Sequence, residues 1–211
     1  MAMEIWFLRH GETEWNAERR IQGSTAWTDL TGEGVRLAEE TARAMAEAGV
    51  TFDRAYTSPY LRAARTARIV CGRLGLEPVA DARLREMSFG RYEGTLIGEG
   101  RFADANIRSC FLDPPSYVPD GGETFDEVAA RVRDFVFGEM APLEGSVRRV
   151  LAVAHGVVLR TAVRLATGAP LGDFWRGAQP NCCVHVFSLA GGRLSLVGST
   201  FPPMRDLDRF L

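Results

Sequence analysis

Short apolar runs alternate with helical stretches along the chain. Residues 4–8 and 149–154 are typical of buried β-strands, and the second is an unbroken apolar run of the kind found in parallel sheets. From Thr31 to Gly49, apolar positions recur every three or four residues, which predicts an amphipathic helix. Further strands are predicted at 54–57, 182–189 and 194–199, and further helices at 58–74, 123–136 and 157–167. This alternation predicts a three-layer α/β/α domain with a largely parallel central sheet, whose ligand site lies beyond the carboxyl ends of the strands.

Local signals mark the boundaries of some elements. Ser58 and Pro59 predict a helix start, with serine at the N-cap and proline at the first helical position. Residues 190–193 predict a hairpin turn between the last two strands. Residues 90–122 contain several glycines and three prolines with little periodicity, so we interpret them as a lid or substrate-specificity excursion rather than as a core element. The whole chain, 1–211, is expected to form a single domain.

The composition excludes several classes of function. The 211 residues are 46% hydrophobic and 25% charged, which suits one core, and a net charge of -2 argues against a nucleic-acid-binding protein. Glu4 stands where a signal peptide carries positive charge, and no run of about 18 apolar residues occurs, so we expect a cytoplasmic protein without membrane contact. All 25 basic residues are arginine. Without lysine, neither a Gly-Lys-Ser/Thr phosphate loop nor a pyridoxal Schiff base can form.

The cysteines do not show metal-binding spacing. No Cys-x2-Cys pair occurs among the four cysteines, Cys71, Cys110, Cys182 and Cys183. An intracellular chain also keeps its thiols reduced. We therefore expect neither disulfides nor a zinc site, and no metal or cofactor.

Two of the three histidines follow predicted strands. His10 comes after the first strand and His155 after the unbroken apolar strand, so both are expected at the same edge of the sheet. Each is followed by a glycine, Gly11 or Gly156, which lets a ligand approach the backbone, and the helix start after Gly156 offers N–H groups to an anion. Either histidine alone is more simply explained by local hydrogen bonds, but the pair favours a site. His185 lies inside an alternating strand and is interpreted as a satisfied structural residue.

Two arginines are expected near the same edge. Arg9 adjoins His10, and Arg62 lies about one turn into the helix that follows strand 54–57. Guanidinium groups bind phosphate oxygens through a planar fork of donors, at roughly 1.5–3 kcal/mol for each charge-assisted hydrogen bond. A positive pocket is therefore compatible with a slightly acidic chain.

Ten consecutive residues, FLRHGETEWN at 7–16, resemble the signature of the histidine phosphatase superfamily in its phosphoglycerate mutase-like branch. Other segments follow in the family's order: IQGS at 21–24, LTGEG at 30–34, TSPYLRAARTA at 57–67, LREMSFGRYEG at 84–94, PDGGETFDEVAARV at 119–132 and VAHGVVLR at 153–160. Together they cover nearly the whole chain, so the set is far more specific than any single motif.

The resemblance implies roles for individual residues. His10 is the nucleophile that forms a phosphohistidine, while Arg9, Arg62 and His155 hold the equatorial phosphoryl oxygens without a metal. Glu86 is the general acid, and without its motif it would be read as a surface ion-pair partner of a neighbouring arginine. The remaining candidates are substrate-binding residues: Asn16, Gln22, Gly23, Gly156 and Asn181.

Three features favour a phosphatase over a mutase. In mutases of this family, the sequence Arg-His-Tyr-Gly typically follows the acid, a lysine contacts the substrate, and serine stands at the position of Thr13. In this chain, Met-Ser-Phe-Gly follows Glu86 and no lysine exists. We therefore expect hydrolysis of a small phosphorylated metabolite by a monomer or homodimer, with α-ribazole phosphatase, sugar bisphosphatase and broad-specificity phosphatase all open. A 2,3-bisphosphoglycerate-dependent phosphoglycerate mutase and a non-catalytic phospho-ligand binder are the alternatives. Selectivity is expected from side chains of the 90–122 segment: Arg101, Phe102, Arg108, Phe111 and Tyr117.

Overall fold

A six-stranded mixed β-sheet forms the centre of the protein. The computed structural model describes residues 2–97, 104–204 and 206–210. The strands are β1 (Met3–Arg9), β2 (Arg54–Thr57), β3 (Pro78–Ala80), β4 (Arg149–Ala154), β5 (Val184–Ala190) and β6 (Arg193–Thr200). Their order is β3-β2-β4-β1-β5-β6, with the first four strands parallel and β5 and β6 forming an antiparallel hairpin at one edge. The largely parallel sheet and the terminal hairpin are confirmed.

The helices connect successive strands. They are α1 (Glu14–Ala17), α2 (Gly32–Glu47), α3 (Leu61–Leu74), α4 (Ala105–Leu112), α5 (Phe125–Arg133) and α6 (Gly156–Thr167), with a π-helical segment at Asp134–Met140 after α5. The side chain of Thr124 accepts a hydrogen bond from the backbone N–H of Glu127, whose carboxylate bonds back, and this capping box fixes the start of α5. The remaining short 3₁₀ turns are Ala82–Leu84, Gly90–Tyr92, Pro114–Ser116, Ala141–Leu143, Leu171–Asp173 and Leu207–Phe210.

Alternate side chains of β1 enter separate hydrophobic clusters. Trp6 and Leu8 pack with apolar residues of α2 and α3, whereas Ile5 and Phe7 pack with those of α5 and α6. All four side chains are fully buried, because successive residues of a strand point to opposite faces and helices cover both faces here. The predicted three-layer α/β/α architecture is confirmed.

Helix α3 begins later than the sequence predicts. Tyr60, not Ser58, occupies the N-cap position, and it makes no side-chain capping hydrogen bond. The N–H of Ser58 donates to the carbonyl of Val153 at 2.9 Å, so Ser58 still continues the β2–β4 ladder. Sheet pairing thus overrides the local Ser-Pro signal. Strand β3 was not predicted, since three residues are too short to show a period.

The described parts of the 90–122 segment are less separate from the core than the sequence predicts. Ile107 and Cys110 of α4 join Tyr92 and Tyr117 in the cluster on the α5/α6 side of the sheet. The interpretation of the segment as lying outside the core is therefore wrong for these residues; the spacing of Ile107 and Cys110 is too short a pattern to reveal a buried helix face. Arg101 and Phe102 lie outside the described residues, and the role as a lid stays a prediction.

All four cysteines are buried and free. Within residues 2–97, 104–204 and 206–210, no helix has the length and apolar character needed to cross a membrane.

Candidate active site

The parallel pairing of β1 with β4 brings the two strand-end histidines together. Arg9 pairs with Ala154 at the ends of the strands, and the N–H of His10 donates to the Ala154 carbonyl at 3.0 Å. His10 and His155 follow immediately, and their ring centroids are 5.1 Å apart. The edge of the sheet therefore brings together two histidines that are 145 positions apart in the sequence.

The protonation state of His10 suits a nucleophile. Its Nδ1 lies 2.7 Å from the carbonyl oxygen of Gly11, which can only accept, so Nδ1 carries the hydrogen and Nε2 keeps a free lone pair. Burial holds the pKa of His10 well below its usual value, and the positive charges of Arg62 and Arg9 lower it further. His10 is consequently neutral at physiological pH.

His155 is fully buried next to His10 and is oriented by Ser58. Its Nε2 lies 2.8 Å from the Ser58 hydroxyl, which also accepts the backbone N–H of Tyr60 at 3.3 Å. We assign the hydroxyl as the donor to Nε2, which leaves the hydrogen on Nδ1. That Nδ1 is buried and has no hydrogen-bond partner among the described residues. Burial, followed by the charge of Arg62, keeps the pKa of His155 well below its usual value.

Arg62 is a fully buried cation enclosed by backbone and hydroxyl acceptors. Its guanidinium donates to the carbonyls of Gly23 at 2.8 Å and Thr25 at 2.6 Å and to the hydroxyl of Thr28 at 3.0 Å. The Thr28 hydroxyl in turn donates to Oε1 of Gln22 at 3.0 Å, which anchors this loop.

No carboxylate forms an ion pair with Arg62 in the described parts of the chain; Glu86 and Glu93 act on its charge without contacting it. Its Nε is buried without a hydrogen-bond partner among the described residues. Burial lowers the pKa of Arg62 to about 10, so it remains charged at neutral pH. An unpaired buried charge costs several kcal/mol, which an anionic ligand would offset.

Arg9, Glu86 and Gly156 surround a small gap beside His10. The Arg9 guanidinium donates to the backbone carbonyl of Gln179, and its Nε is buried without a partner in the described structure. A Cβ atom added to Gly156 would lie 3.9 Å from Arg9 Nε and 3.8 Å from Glu86 Oε2. The absence of a side chain at Gly156 therefore leaves this space open to a ligand atom.

We expect Gly156→Ala to lower kcat/KM for p-nitrophenyl phosphate by about 100-fold, because a methyl group would occupy the space between Arg9 and Glu86 and shift the phosphoryl group. The distances of 3.8 and 3.9 Å are ordinary van der Waals contacts, so the fold should accept the methyl group. Gly72→Ala on α3 is the matched control, since its added Cβ meets nothing within 4 Å. Steady-state rates and thermal unfolding of both variants test this; equal activity of the two would contradict a phosphoryl site at Gly156.

Glu86 has the environment of a general acid. Its Oε1 accepts the N–H of Met87 at 2.9 Å, and its Oε2 accepts the N–H of Val157 in the first turn of α6 at 3.2 Å. Burial raises the pKa of Glu86, and this outweighs the opposing effects of the two N–H groups and of Arg62. The protonated form therefore persists to higher pH than for an exposed glutamate.

His10, Arg9, Arg62 and Glu86 line one cleft, which has a volume of about 650 Å³ when its open mouth is counted. The predicted residues that line it are Arg9, His10, Asn16, Gln22, Gly23, Arg62, Glu86 and Gly156. It is also lined by residues that were not singled out as site residues: Arg20, Ile21, Phe89, Ile97, Val157, Arg160, Trp175 and Gln179.

Two predicted site residues do not line the cleft. His155 lies behind its surface, beside His10. Asn181 donates from Nδ2 to the carbonyl of His10 at 3.0 Å and to Oδ1 of Asn16 at 3.2 Å. The prediction that Asn181 binds substrate is therefore not supported by its position; its amide is engaged in holding the strand end. Asn16 Oδ1 also accepts the N–H of Thr13 at 3.2 Å, and Asn16 lines the cleft.

Gly23 is required by its conformation and its surroundings. It has φ = +50°, and a Cβ atom there would approach Oε1 of Glu93 to 2.4 Å. The same Glu93 oxygen accepts the backbone N–H groups of Ser24 at 2.7 Å and Phe89 at 3.1 Å. Glu93 thus links the loop around Arg62 to the segment that follows Glu86.

Among the described residues of the excursion, one of those expected at the site lines the cleft. Phe111 lines the cleft, whereas Tyr117 is buried in the core and Arg108 is exposed on α4. His185 is satisfied within the sheet, as predicted, with Nδ1 2.6 Å from the Ser199 hydroxyl and Nε2 3.1 Å from the Gln179 amide nitrogen.

No group of three or more His, Cys, Asp or Glu side chains in the described parts of the chain is arranged to hold a metal ion. The metal-independent mechanism remains a prediction, and the donors around His10 are arginine, histidine and backbone groups.

Comparison with known proteins gives concordant matches over nearly the whole chain. The family model described as the histidine phosphatase superfamily (branch 1) matches residues 5–201. A 2,3-bisphosphoglycerate-dependent phosphoglycerate mutase of Azorhizobium caulinodans is 34% identical over 189 residues, covering 78% of this chain and 88% of the relative.

Two solved structures show the same architecture. YhfR of Bacillus stearothermophilus superposes with a TM-score of 0.84 at 33% identity, covering 93% of this chain and 96% of that one. A mycobacterial glucosyl-3-phosphoglycerate phosphatase, solved with VO3, gives a TM-score of 0.79 at 28% identity, covering 92% and 97%. The family match, the shared fold and the paired histidines at the sheet edge agree: this chain belongs to branch 1 of the histidine phosphatase superfamily and is an enzyme of that superfamily.

Proposed function

We propose that the protein hydrolyses a small phosphorylated metabolite through a phosphohistidine on His10. The observation that carries this proposal is a neutral His10 surrounded by buried donors without partners. These donors are Nε of Arg9, Nε of Arg62 and Nδ1 of His155. A phosphoryl group supplies both the negative charge that Arg62 lacks and the oxygen acceptors that these atoms lack.

The reaction proceeds in two displacements at phosphorus. Nε2 of His10 attacks, the bond from phosphorus to the ester oxygen breaks, and the Glu86 carboxyl group gives its proton to the departing alkoxide. Water then attacks the phosphohistidine while the Glu86 carboxylate takes a proton from it, which releases inorganic phosphate and restores both residues. Arg9, Arg62 and His155 stabilise the charge on the equatorial oxygens in both steps, so a cationic cage performs the role that a metal has in other enzymes.

Hydrolysis is favoured over isomerisation by the sequence around the acid. Met87-Ser88-Phe89-Gly90 replaces the mutase-type segment, and the chain has no lysine to contact a sugar acid. The mycobacterial relative of known structure is named as a phosphatase. Mutase activity is the second candidate, because the relative from Azorhizobium caulinodans at 34% identity is named as a phosphoglycerate mutase.

We expect the protein to release inorganic phosphate from p-nitrophenyl phosphate in the presence of a chelator, and not to interconvert 3- and 2-phosphoglycerate. Both phosphoglycerate directions are assayed with and without 2,3-bisphosphoglycerate as activator. Robust isomerisation would replace the phosphatase proposal with the mutase. Activity abolished by the chelator would contradict the metal-independent mechanism, and binding of phosphate without any turnover would favour a non-catalytic phospho-ligand binder.

A further inference from the structure

One wall of the cleft is aromatic. Phe89, Phe111 and Trp175 line the same cleft as His10 and Glu86. The rings of Phe89 and Phe111 are nearly parallel, with centroids 6.2 Å apart, and those of Phe111 and Trp175 are 4.8 Å apart. The three rings pack on one another and together give this part of the cleft an aromatic, apolar lining.

This wall is held in place before any ligand binds. The indole N–H of Trp175 donates to the carbonyl of Cys110 at 2.6 Å, directly before Phe111 on α4. Arg160 of α6 lies over the Trp175 ring, 5.3 Å from its centroid. Its guanidinium donates to carbonyls of the surrounding loop: Phe174 at 3.1 Å, Arg176 at 2.9 Å and Gly177 at 2.9 Å. Arg160 is therefore a positioning residue for the wall.

The described part of the cleft offers little to a second anionic group. Apart from the arginines of the cationic cage, the arginines that line the described part of the cleft are Arg20 and Arg160. Arg20 is paired with Glu18 and donates to the Gly94 carbonyl at 2.9 Å, and Arg160 is engaged by the loop carbonyls. A carboxylate or second phosphate would have to displace these contacts, whereas an apolar ring would replace water at the wall.

We propose that the wall formed by Phe89, Phe111 and Trp175 selects phosphomonoesters whose leaving alcohol carries a flat apolar ring, over those that carry a second anionic group. This inference rests on the proposed phosphatase function. The alcohol's ring packs against the wall, while its oxygen faces Glu86 and its phosphoryl group faces His10.

The test compares substrates whose leaving alcohols have similar acidity. Benzyl phosphate carries a flat ring, cyclohexylmethyl phosphate an apolar ring that is not flat, ethyl phosphate no ring, and 3-phosphoglycerate a carboxylate. We expect kcat/KM for benzyl phosphate to exceed that for ethyl phosphate and for 3-phosphoglycerate by roughly tenfold or more, with cyclohexylmethyl phosphate between benzyl and ethyl.

Variants of Phe111 assign this preference to the wall. Phe111→Ala is expected to lower the benzyl-to-ethyl ratio by roughly tenfold, and Phe111→Leu, which keeps apolar volume without a flat face, to lower it less. Leu112→Ala is the matched control, because Leu112 is the next residue of α4, is 74% exposed and does not line the cleft. If Phe111→Ala does not fold in a thermal unfolding assay, Phe111→Leu gives the ratio.

Each result separates the two proposals. A wild-type preference for 3-phosphoglycerate over benzyl phosphate, or a benzyl-to-ethyl ratio unchanged in the Phe111 variants, would overturn the selectivity while leaving His10-dependent hydrolysis intact. Absence of hydrolysis of all four esters and of p-nitrophenyl phosphate would overturn the phosphatase function itself.

Discussion

Replacing His10 with alanine is expected to reduce phosphate release from p-nitrophenyl phosphate by about 10³-fold or more, because in the proposed mechanism His10 supplies the atom that forms the covalent intermediate. No other imidazole can take over, since Nε2 of His155 is engaged by Ser58 and His185 lies within the sheet. Initial rates of the wild type and the variant measure the loss. Thermal unfolding of both proteins shows whether the buried position tolerates the smaller side chain.

Direct labelling identifies the nucleophile. Rapid quenching with a radiolabelled phosphoryl donor should trap a label that is labile in acid and stable in base, as expected for a phosphohistidine. The chain has only three histidines, so His10→Ala should lose the label and His185→Asn should keep it. Turnover or labelling that persists unchanged in His10→Ala would contradict the phosphohistidine mechanism.

The sequence predicted that His10 and His155 meet at one edge of the sheet, because the relevant signals are local and regular. An unbroken apolar strand at 149–154 and the strand at 4–8 each end at a histidine followed by glycine, and parallel strands place such ends side by side. The family resemblance then added Arg62 and Glu86, which periodicity alone does not mark. The structure supplies what neither gives: Arg62 is enclosed by carbonyls of the loop from Gly23 to Thr28 and has no carboxylate partner in the described chain.

Other parts of the site depend on contacts between distant segments. Trp175 reaches the cleft because its indole bonds to Cys110, 65 positions away, and no spacing within either segment indicates that contact. At Ser58 the local sequence signal was misleading. The signal is strong for a helix cap, but pairing with β4 and the hydrogen bond to His155 determine the position of Ser58. The sequence correctly indicated that Asn181 lies close to His10, but the amide of Asn181 donates to the carbonyl of His10 rather than facing the cleft.

Replacing Glu86 with glutamine should affect the two displacements differently, depending on the leaving group. Hydrolysis of ethyl phosphate should fall by about 10²–10⁴-fold, because in the proposed mechanism Glu86 donates the proton that the departing alkoxide needs. p-Nitrophenolate needs no such proton, so Glu86→Gln should still release one equivalent of p-nitrophenol in a rapid burst. Steady turnover should then be slow, since the variant also lacks the base that activates water. Rapid-mixing measurements against Glu33→Gln, an exposed glutamate on α2, provide the comparison.

The pH dependence of the same variant tests the direction of the Glu86 shift. In the proposed mechanism the active form has His10 neutral and Glu86 protonated. Burial holds the pKa of His10 well below its usual value and raises the pKa of Glu86. For alkyl phosphates, kcat/KM of the wild type should therefore decline on the alkaline side as Glu86 loses its proton, and on the acidic side as His10 gains one. Ionisation of the substrate itself affects wild type and Glu86→Gln equally. An alkaline decline that is identical in both proteins would show that another group is the acid, because glutamine has no proton to lose in this range.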